Sequence, residues 1–374
     1  MLQIERVTTR EAFDGLGDAW SGLLAETDGG VPFLTHDWFQ CCVHAYRDPV
    51  LHVLVARDGS RVVGIAPLWR YRGPVRGIDL RQIGFISCPD TPTVDFVIAP
   101  SRTEDVLVAF LDDLRSRRDF AWDLLALGQW PAGSRSARTL RSLLKEARIP
   151  HYVTGASLVP SLRIRGSWEE YWKTRAPLFR KSRRGIVNRM TRAGASRVRL
   201  VRRDESGDAF QSVLSISRRS WKEPRGLSIS SRPATVEFFR RLTEVAGRKG
   251  WLFLWLLELD GVPVAMEYDL THAGIVYALR ADIDEAYKER SPGAYLEYQL
   301  VKHLFEEGYS EYNTGPGLNP YKLRWTDQIA ENLAVHACGG TWRGRVTCAV
   351  EGILAPAWRR LRARAAREAP AEPE

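Results

Sequence analysis

Two stretches of the chain share one hydrophobic pattern: LHVLVARDGSRVVGIAPLW (Leu51–Trp69) and WLFLWLLELDGVPVAMEYDL (Trp251–Leu270). Each is an apolar run, an Asp-Gly pair and a second apolar run that contains a small residue, Gly64 or Ala265. Asp-Gly accepts the positive φ angles of a tight turn, so each stretch predicts an antiparallel hairpin. The pairs begin at Asp58 and Asp260, about 200 positions apart, a spacing of duplicated domains rather than of a solenoid. The segments downstream of the two hairpins are also alike. Strand patterns DLRQIGF and VDFVIAP, a helix over Thr103–Arg118 and a strand WDLLALG come after the first. A strand IVYALRA, a helix over Gly293–Glu307 ending at Gly308, and a strand YSEYNTG come after the second. Both halves read β-β-β-α-β, which predicts an α/β (α+β) fold of two tandem units, each a mixed, mostly antiparallel sheet flanked by helices.

The expected domains are 1–160, 161–335 and a terminal strand and helix over 336–374 that packs back on the first unit. Ser167-Trp-Glu-Glu170 forms a capping box. Pro177 starts a helix to Ala193 with Phe179, Ile186 and Met190 on one face and Gly194 at its end. Another helix runs from Pro233 to just before Gly250, with Val236, Phe239, Leu242 and Ala246 on one stripe. Val346–Arg367 reads as a basic helix interrupted at Pro356, followed by a disordered tail, APAEPE.

Composition narrows the function. The 374 residues are 44% hydrophobic, enough for a real core, and the net charge of +9 suits an anionic partner. Thirteen tryptophans hint at a binding groove. Five cysteines without a CxxC pair do not make a disulfide framework, and a reducing compartment fits them. No histidine pair has metal-ligand spacing, so no metal is expected. The opening MLQIERVTTR leads into no apolar region, and the longest apolar run is far short of the ~20 residues of a membrane span. A cytoplasmic protein without membrane insertion is expected.

The stretch Asp282–Trp325 resembles the GNAT-like acetyltransferases of the CelD/BcsL (cellulose-biosynthesis) type. Asp284, Tyr287, Ser291-Pro292-Gly293, Leu296, Gly308, Tyr321-Lys322 and Trp325 carry the resemblance. It departs from the family pattern at Ile283 and Asn313. PFLTHDWFQ, with Trp38, resembles the family's entry motif, and Ser220-Trp221 its later Ser-Trp. Tyr321-Lys322 is also similar to the aromatic-Lys pair of the Fem-type ligases, which share the tandem fold and use aminoacyl-tRNA. The resemblance implies an acyltransferase that takes acetyl-CoA or another acyl-CoA and acts on an amine or hydroxyl of a small-molecule or sugar acceptor. A Fem-like aminoacyl-tRNA-dependent transferase and a non-catalytic scaffold are the alternatives.

The residues supply the chemistry. Unpaired amides and a partial positive charge at a helix start attract phosphate. Arg290, Ser291, Pro292, Gly293 and Ala294 open the second-unit helix and are the candidate donor-binding residues; an ordinary capped surface helix is the plain alternative. On Val262–Leu270, alternation puts Ala265, Glu267 and Asp269 on one face and Val264, Met266 and Tyr268 on the other. Glu267 is the candidate general base and Tyr312 the candidate acid or oxyanion donor, with Tyr277 and Tyr287 in the same cleft. Tyr321, Lys322, Arg324 and Asn313, with Trp221 and Trp38, are the candidate substrate-side residues. Aromatic packing and solvated loops are the plain alternatives for these. Finally, Lys173–Arg203 contains no Asp or Glu among a dozen cations. It suits tRNA or an acyl-carrier protein, or it is a solvated helix face.

Overall fold

The computed structural model describes residues 2–27, 30–116, 120–192, 196–201 and 206–354. In chain order the strands are β1 (Gln3–Val7), β2 (Val50–Leu51), β3 (Val53–Asp58), β4 (Arg61–Ala66), β5 (Leu68–Val75), β6 (Ile78–Phe85), β7 (Val97–Ile98), β8 (Leu124–Pro131), β9 (His151–Arg163), β10 (Ser196–Leu200), β11 (Leu252–Leu259), β12 (Val262–His272), β13 (Ile275–Ile283), β14 (Glu311–Asn313) and β15 (Ile329–Cys338). The helices are α1 (Arg10–Asp14), α2 (Gly17–Ala25), α3 (His36–Ala45), α4 (Thr103–Ser116), α5 (Arg135–Glu146), α6 (Trp168–Thr174), α7 (Pro177–Arg192), α8 (Ser206–Arg218), α9 (Pro233–Lys249), α10 (Pro292–Glu306), α11 (Pro320–Leu323) and α12 (Trp342–Ala349).

Both predicted hairpins form, and both carry the same one-residue bulge just after the turn. In the first, Ala56 faces Gly64 and Arg57 faces Val62; in the second, Leu257 faces Ala265 and Glu258 faces Pro263. The small residue falls at the bulge in each. Gly64 has a packing reason, since a Cβ there would lie 2.3 Å from a Val106 methyl on α4. In the second turn Asp260 and Gly261 have φ of 51° and 77°. The first turn is shifted by one, because Asp58 still pairs with Arg61 and Gly59 takes the positive φ.

Each half also contains one parallel pairing, three residues long. Gln82–Gly84 of β6 pair with Leu124–Ala126 of β8, and Ile275–Tyr277 of β13 pair with Glu311–Asn313 of β14. The halves share a single sheet of eleven strands in the order β10-β11-β12-β13-β14-β9-β15-β8-β6-β5-β2, beside a four-stranded sheet β1-β3-β4-β7. The long strand β9 pairs with β14 through Ser161–Arg163 and with β15 over most of its remaining length. β15 lies between β9 and β8, so a strand late in the chain completes the sheet of the first half. The fold is thus mixed α/β, with a large mixed sheet flanked by helices.

Helices cover the second-half sheet on both faces. Leu254, Leu256, Met266, Tyr268 and Leu270 pack toward one core with Phe238, Phe239 and Leu242 of α9. Phe253, Trp255, Leu257 and Ala265 pack toward the other, with Leu296, Leu300 and Val301 of α10 and Phe179 and Ile186 of α7. The predicted alternation on β12 therefore holds from Ala265 onward. Val264 breaks it and joins Ala265 in the α10-side core, because the bulge gives β12 its extra residue there.

Other expectations are revised. VDFVIAP pairs only through Val97–Ile98. Its Asp95 instead accepts hydrogen bonds from Ser134 and Ser136 at the start of α5 and from the Trp130 indole. The cysteines are not all reduced: Cys338 at the end of β15 and Cys348 on α12 form a disulfide, with Cα atoms 6.3 Å apart. The turn at Gly339-Gly340 folds α12 back on β15, a proximity that sequence spacing alone does not reveal. The terminal helix begins earlier than expected, at Trp342. Gly194, Arg202, Arg203, the remainder of Val346–Arg367 and the APAEPE tail lie outside the described residues. No helix among the described residues is long and apolar enough to cross a membrane.

Candidate functional site

The end of β13 is where the sheet is interrupted. β14 accompanies β13 only as far as Tyr277, while β12 continues to pair with it to Ile283. Just past the divergence, Gly315 (φ 74°) presses on β13, and a Cβ there would lie 2.7 Å from the Ala278 carbonyl oxygen. Beyond that contact β13 carries its own bulge at Leu279, because Tyr268 pairs with Arg280 and Asp269 with Ala278. Leu279, Arg280, Ala281 and Ile283 are half-buried along this edge.

The chain then turns through Glu285–Arg290 into α10. Asp284 caps that turn through the amide of Ala286. Ser291, the N-cap of α10, sits in the left-handed region at φ 58° and makes no side-chain cap bond. Pro292 has no N–H, so the first free donors of α10 are the amides of Gly293 and Ala294, both half-buried, which have no hydrogen-bond partner among the described residues. The missing Cβ of Gly293 points at Ile283, 2.9 Å from its methyl. The glycine thus seats α10 on β13. Arg290 places its guanidinium 5.8 Å from the centre of the Tyr287 ring.

Under this corner lies a buried polar cluster. Glu267 and Asp269 on β12, Glu297 on α10 and Tyr312 on β14 all point into the α10-side core, and none is more than 7% exposed. Burial is the main force on each. It pushes the Glu267 carboxyl well up, helped by the charges of Asp269 and Glu297 and opposed by Lys222 and Lys322. Burial alone raises Asp269, whose two oxygens have no partner among the described residues. Glu297 is raised to about 7 by burial, against the pull of Arg183, whose Nη2 donates to Oε2 at 2.9 Å. The Tyr312 phenol is held well above its ordinary range by burial and the three carboxyls. Burial and mutual repulsion thus favour the neutral forms of the Glu267 and Asp269 carboxyls.

The structure sorts the remaining sequence candidates. Tyr277 does not join Tyr312. Strand alternation turns it to the opposite face, where its ring meets Phe33 edge-on at 5.2 Å. Trp38 is sealed in the same core against Phe33 and Phe238. Lys322 is no solvent-facing cation: its Nζ is buried and donates to the carbonyls of Gly315 and Pro316 at 3.0 and 2.9 Å. It pins the loop after β14, and burial lowers it to about 8. Tyr321 and Arg324 are exposed beside it, and Asn313 accepts from the Gly315 amide. Trp221 is 45% exposed with the Arg225 guanidinium over its ring. Its neighbours anchor it to the β13 edge: Arg219 pairs with Asp284 at 2.6 Å and Lys222 with Asp282 at 2.7 Å. In the basic stretch, Arg183 is buried against Glu297 and Arg175 donates to the Trp325 carbonyl, whereas Lys181, Arg184, Arg189 and Arg192 of α7 are exposed.

Sequence reasoning passed over Glu297, Arg183 as its partner, and Asp282. One signal was available. Glu297 follows Leu296 and precedes Leu300 by three, so it is a charged residue inside the apolar stripe of α10.

No curated protein sequence matches the chain. Among solved structures it is similar to FemX (12% identity, TM-score 0.57, covering 89% of this chain and 96% of that one). It is also similar to the C-terminal domain of a putative lysylphosphatidylglycerol synthetase from Agrobacterium fabrum (12%, TM-score 0.54, 89% and 95%). A third likeness is to L-PGS from Bacillus licheniformis (11%, TM-score 0.52, 92% and 96%). At such identities these share the fold. Residues 179–323, which hold α10, the buried cluster and the β13 edge, match the family model described as Acetyltransferase (GNAT) domain, so the second half of the chain carries a GNAT-type acetyltransferase domain.

Proposed function

We propose that the protein moves an acyl group from acyl-CoA to an amine or hydroxyl of a small-molecule or sugar acceptor. The observation that carries this reading is the half-buried edge of β13 beside the free amides of Gly293 and Ala294. An anionic carrier would rest its phosphates on those amides and the positive end of α10, with Arg290 adding charge. Its thioester would then lie along β13, above Glu267 and Tyr312. In the reaction the acceptor's nitrogen or oxygen bonds to the thioester carbon, the carbon–sulfur bond breaks, Glu267 takes the acceptor's proton and Tyr312 protonates the departing thiolate. Trp221, Tyr287, Asn313, Tyr321 and Arg324 surround this corner and would meet the acceptor. A CoA donor places the reaction in the cytoplasm, and the CelD/BcsL type remains the subfamily we assign.

The test is calorimetric titration of acetyl-CoA and a long-chain acyl-CoA. Saturable binding is expected, and Ala294→Asp should abolish it, because a carboxylate in the first turn suits the helix but occupies the anion's place. No heat with either thioester would sink the proposal.

A second reading, an aminoacyl-tRNA donor, draws on the exposed row Lys181, Arg184, Arg189 and Arg192 next to α10. It predicts salt-dependent tRNA binding that weakens in a Lys181→Glu, Arg184→Glu variant. Arg183 is left intact there because it is buried. Unchanged affinity in that variant would remove this reading.

A further inference from the structure

We infer that the first half of the molecule holds a ligand site of its own, shaped for a flat ring that carries an anionic group. One register row crosses four strands of the large sheet there: Trp69 on β5 faces Gly84 on β6, Gly84 faces Ala126 on β8, and Ala126 faces His336 on β15. Large residues stand at the ends of the row and small ones in the middle. The sheet face is therefore troughed, and the trough bounds a cavity of about 860 Å³. That volume is typical of a small-molecule pocket.

The floor is built to stay low. Gly84 cannot be replaced without collision, since a Cβ would lie 2.9 Å from the Ala126 carbonyl oxygen and 3.2 Å from the Tyr71 ring. Gly128 is different. It lines the same cavity, and a Cβ there meets nothing within 4 Å. The wall is held by strain: Gln129 has φ 54°, and its side-chain oxygen accepts from Ser157 at 2.7 Å. A non-glycine residue forced into that region is a mark of a position the surroundings over-determine, and such positions gather at ligand sites.

The lining sets the ligand class. Trp69 and Tyr71 line the cavity with aromatic rings, His336 and Gln82 are polar residues of the lining, with the Gln82 amide tied to Gly73 and Tyr71, and Arg47 and Asp48 are exposed charges in it. Arg47 is exposed and has no side-chain partner among the described residues. Aromatic rings with an unpaired guanidinium in the lining suit a flat ring bearing a carboxylate or phosphate. The second half closes over one side, where Ala234 lines the cavity and Thr235 meets the Tyr46 hydroxyl at 3.3 Å. The site lies on other strands than the β13 edge, and it stands whichever donor that edge binds.

The experiment titrates the full chain with 4-aminobenzoate and with nicotinate, two flat rings that each carry a carboxylate. Binding of at least one at millimolar concentration or below is expected. Gly128→Leu fills the cavity without backbone collision and should weaken that binding tenfold or more, with an unchanged melting temperature. Arg47→Ala should weaken it about tenfold. Silence from both probes, or binding that Gly128→Leu leaves untouched, overturns the inference. Equal binding of neutral aniline or nicotinamide overturns the anionic part of it.

Discussion

Glu267 and Tyr312 are the side chains on which the proposed chemistry turns, and both are buried deeply enough that replacing them has two possible effects to separate. Glu267→Gln and Tyr312→Phe keep shape and remove only the proton-handling atoms. Each is expected to lower kcat about 100-fold with KM little changed and the unfolding midpoint nearly constant. Steady-state kinetics together with urea denaturation separates this from simple loss of fold. Arg183 acts differently. Its buried pair with Glu297 is interrupted in Arg183→Met, leaving a carboxyl that already prefers the neutral form. A group whose folded pKa lies above its unfolded value stabilises the fold at low pH and loses that contribution as pH rises through the folded pKa. Glu297 follows this rule between its ordinary range and about 7, and the substitution raises the upper limit further. The variant should therefore lose about 3 kcal/mol at about pH 8 and clearly less at about pH 6, measured by urea unfolding at each. Equal losses at both would show that Arg183 contributes packing alone.

At the scale of elements, the junction of β13 and α10 depends on two backbone details. Ser291 sits at φ 58°, a conformation that costs an L-residue roughly 1 kcal/mol. Ser291→Gly should raise stability by up to about 1 kcal/mol in denaturant titrations, with CoA binding preserved. Gly293→Val drives a branched side chain into Ile283 and should cost about 1–3 kcal/mol. The hairpins, α9, α10 and the repeat itself were legible in the sequence because they rest on local signals: Asp-Gly turns, a 3.6-residue stripe, and Pro and Gly at helix ends. The faces of residues on short strands were not. Tyr277 and Tyr312 look alike in sequence, and only the parallel pairing of Val276 with Tyr312 turns Tyr277 to the opposite core. Lys322 looked like a surface cation because nothing local shows that Gly315 and Pro316 present their carbonyls to it.

In the whole molecule, the repeat of two similar halves suggests two folding units, but the hydrogen-bond ladder joins them. β9 pairs with β14 of the second half, and β15, which comes after β14 in the chain, fills the gap between β9 and β8. Without β15 the buried edges of β8 and β9 would both lie open, with their N–H and C=O groups unpaired and apolar side chains such as Leu127 and Val159 exposed at the seam. Non-local ladders of this kind bind distant segments into one cooperative unit. Urea unfolding of the full chain, followed by far-ultraviolet circular dichroism and by tryptophan fluorescence, is therefore expected to give one transition with coincident midpoints. A chain ending before Ile329 should be insoluble or molten even though the whole of the matched acetyltransferase segment is intact. A soluble truncated chain that kept the native midpoint would mean that the first half stands without β15, and the continuous sheet would then be a contact between independent units rather than the frame that fixes the β13 edge.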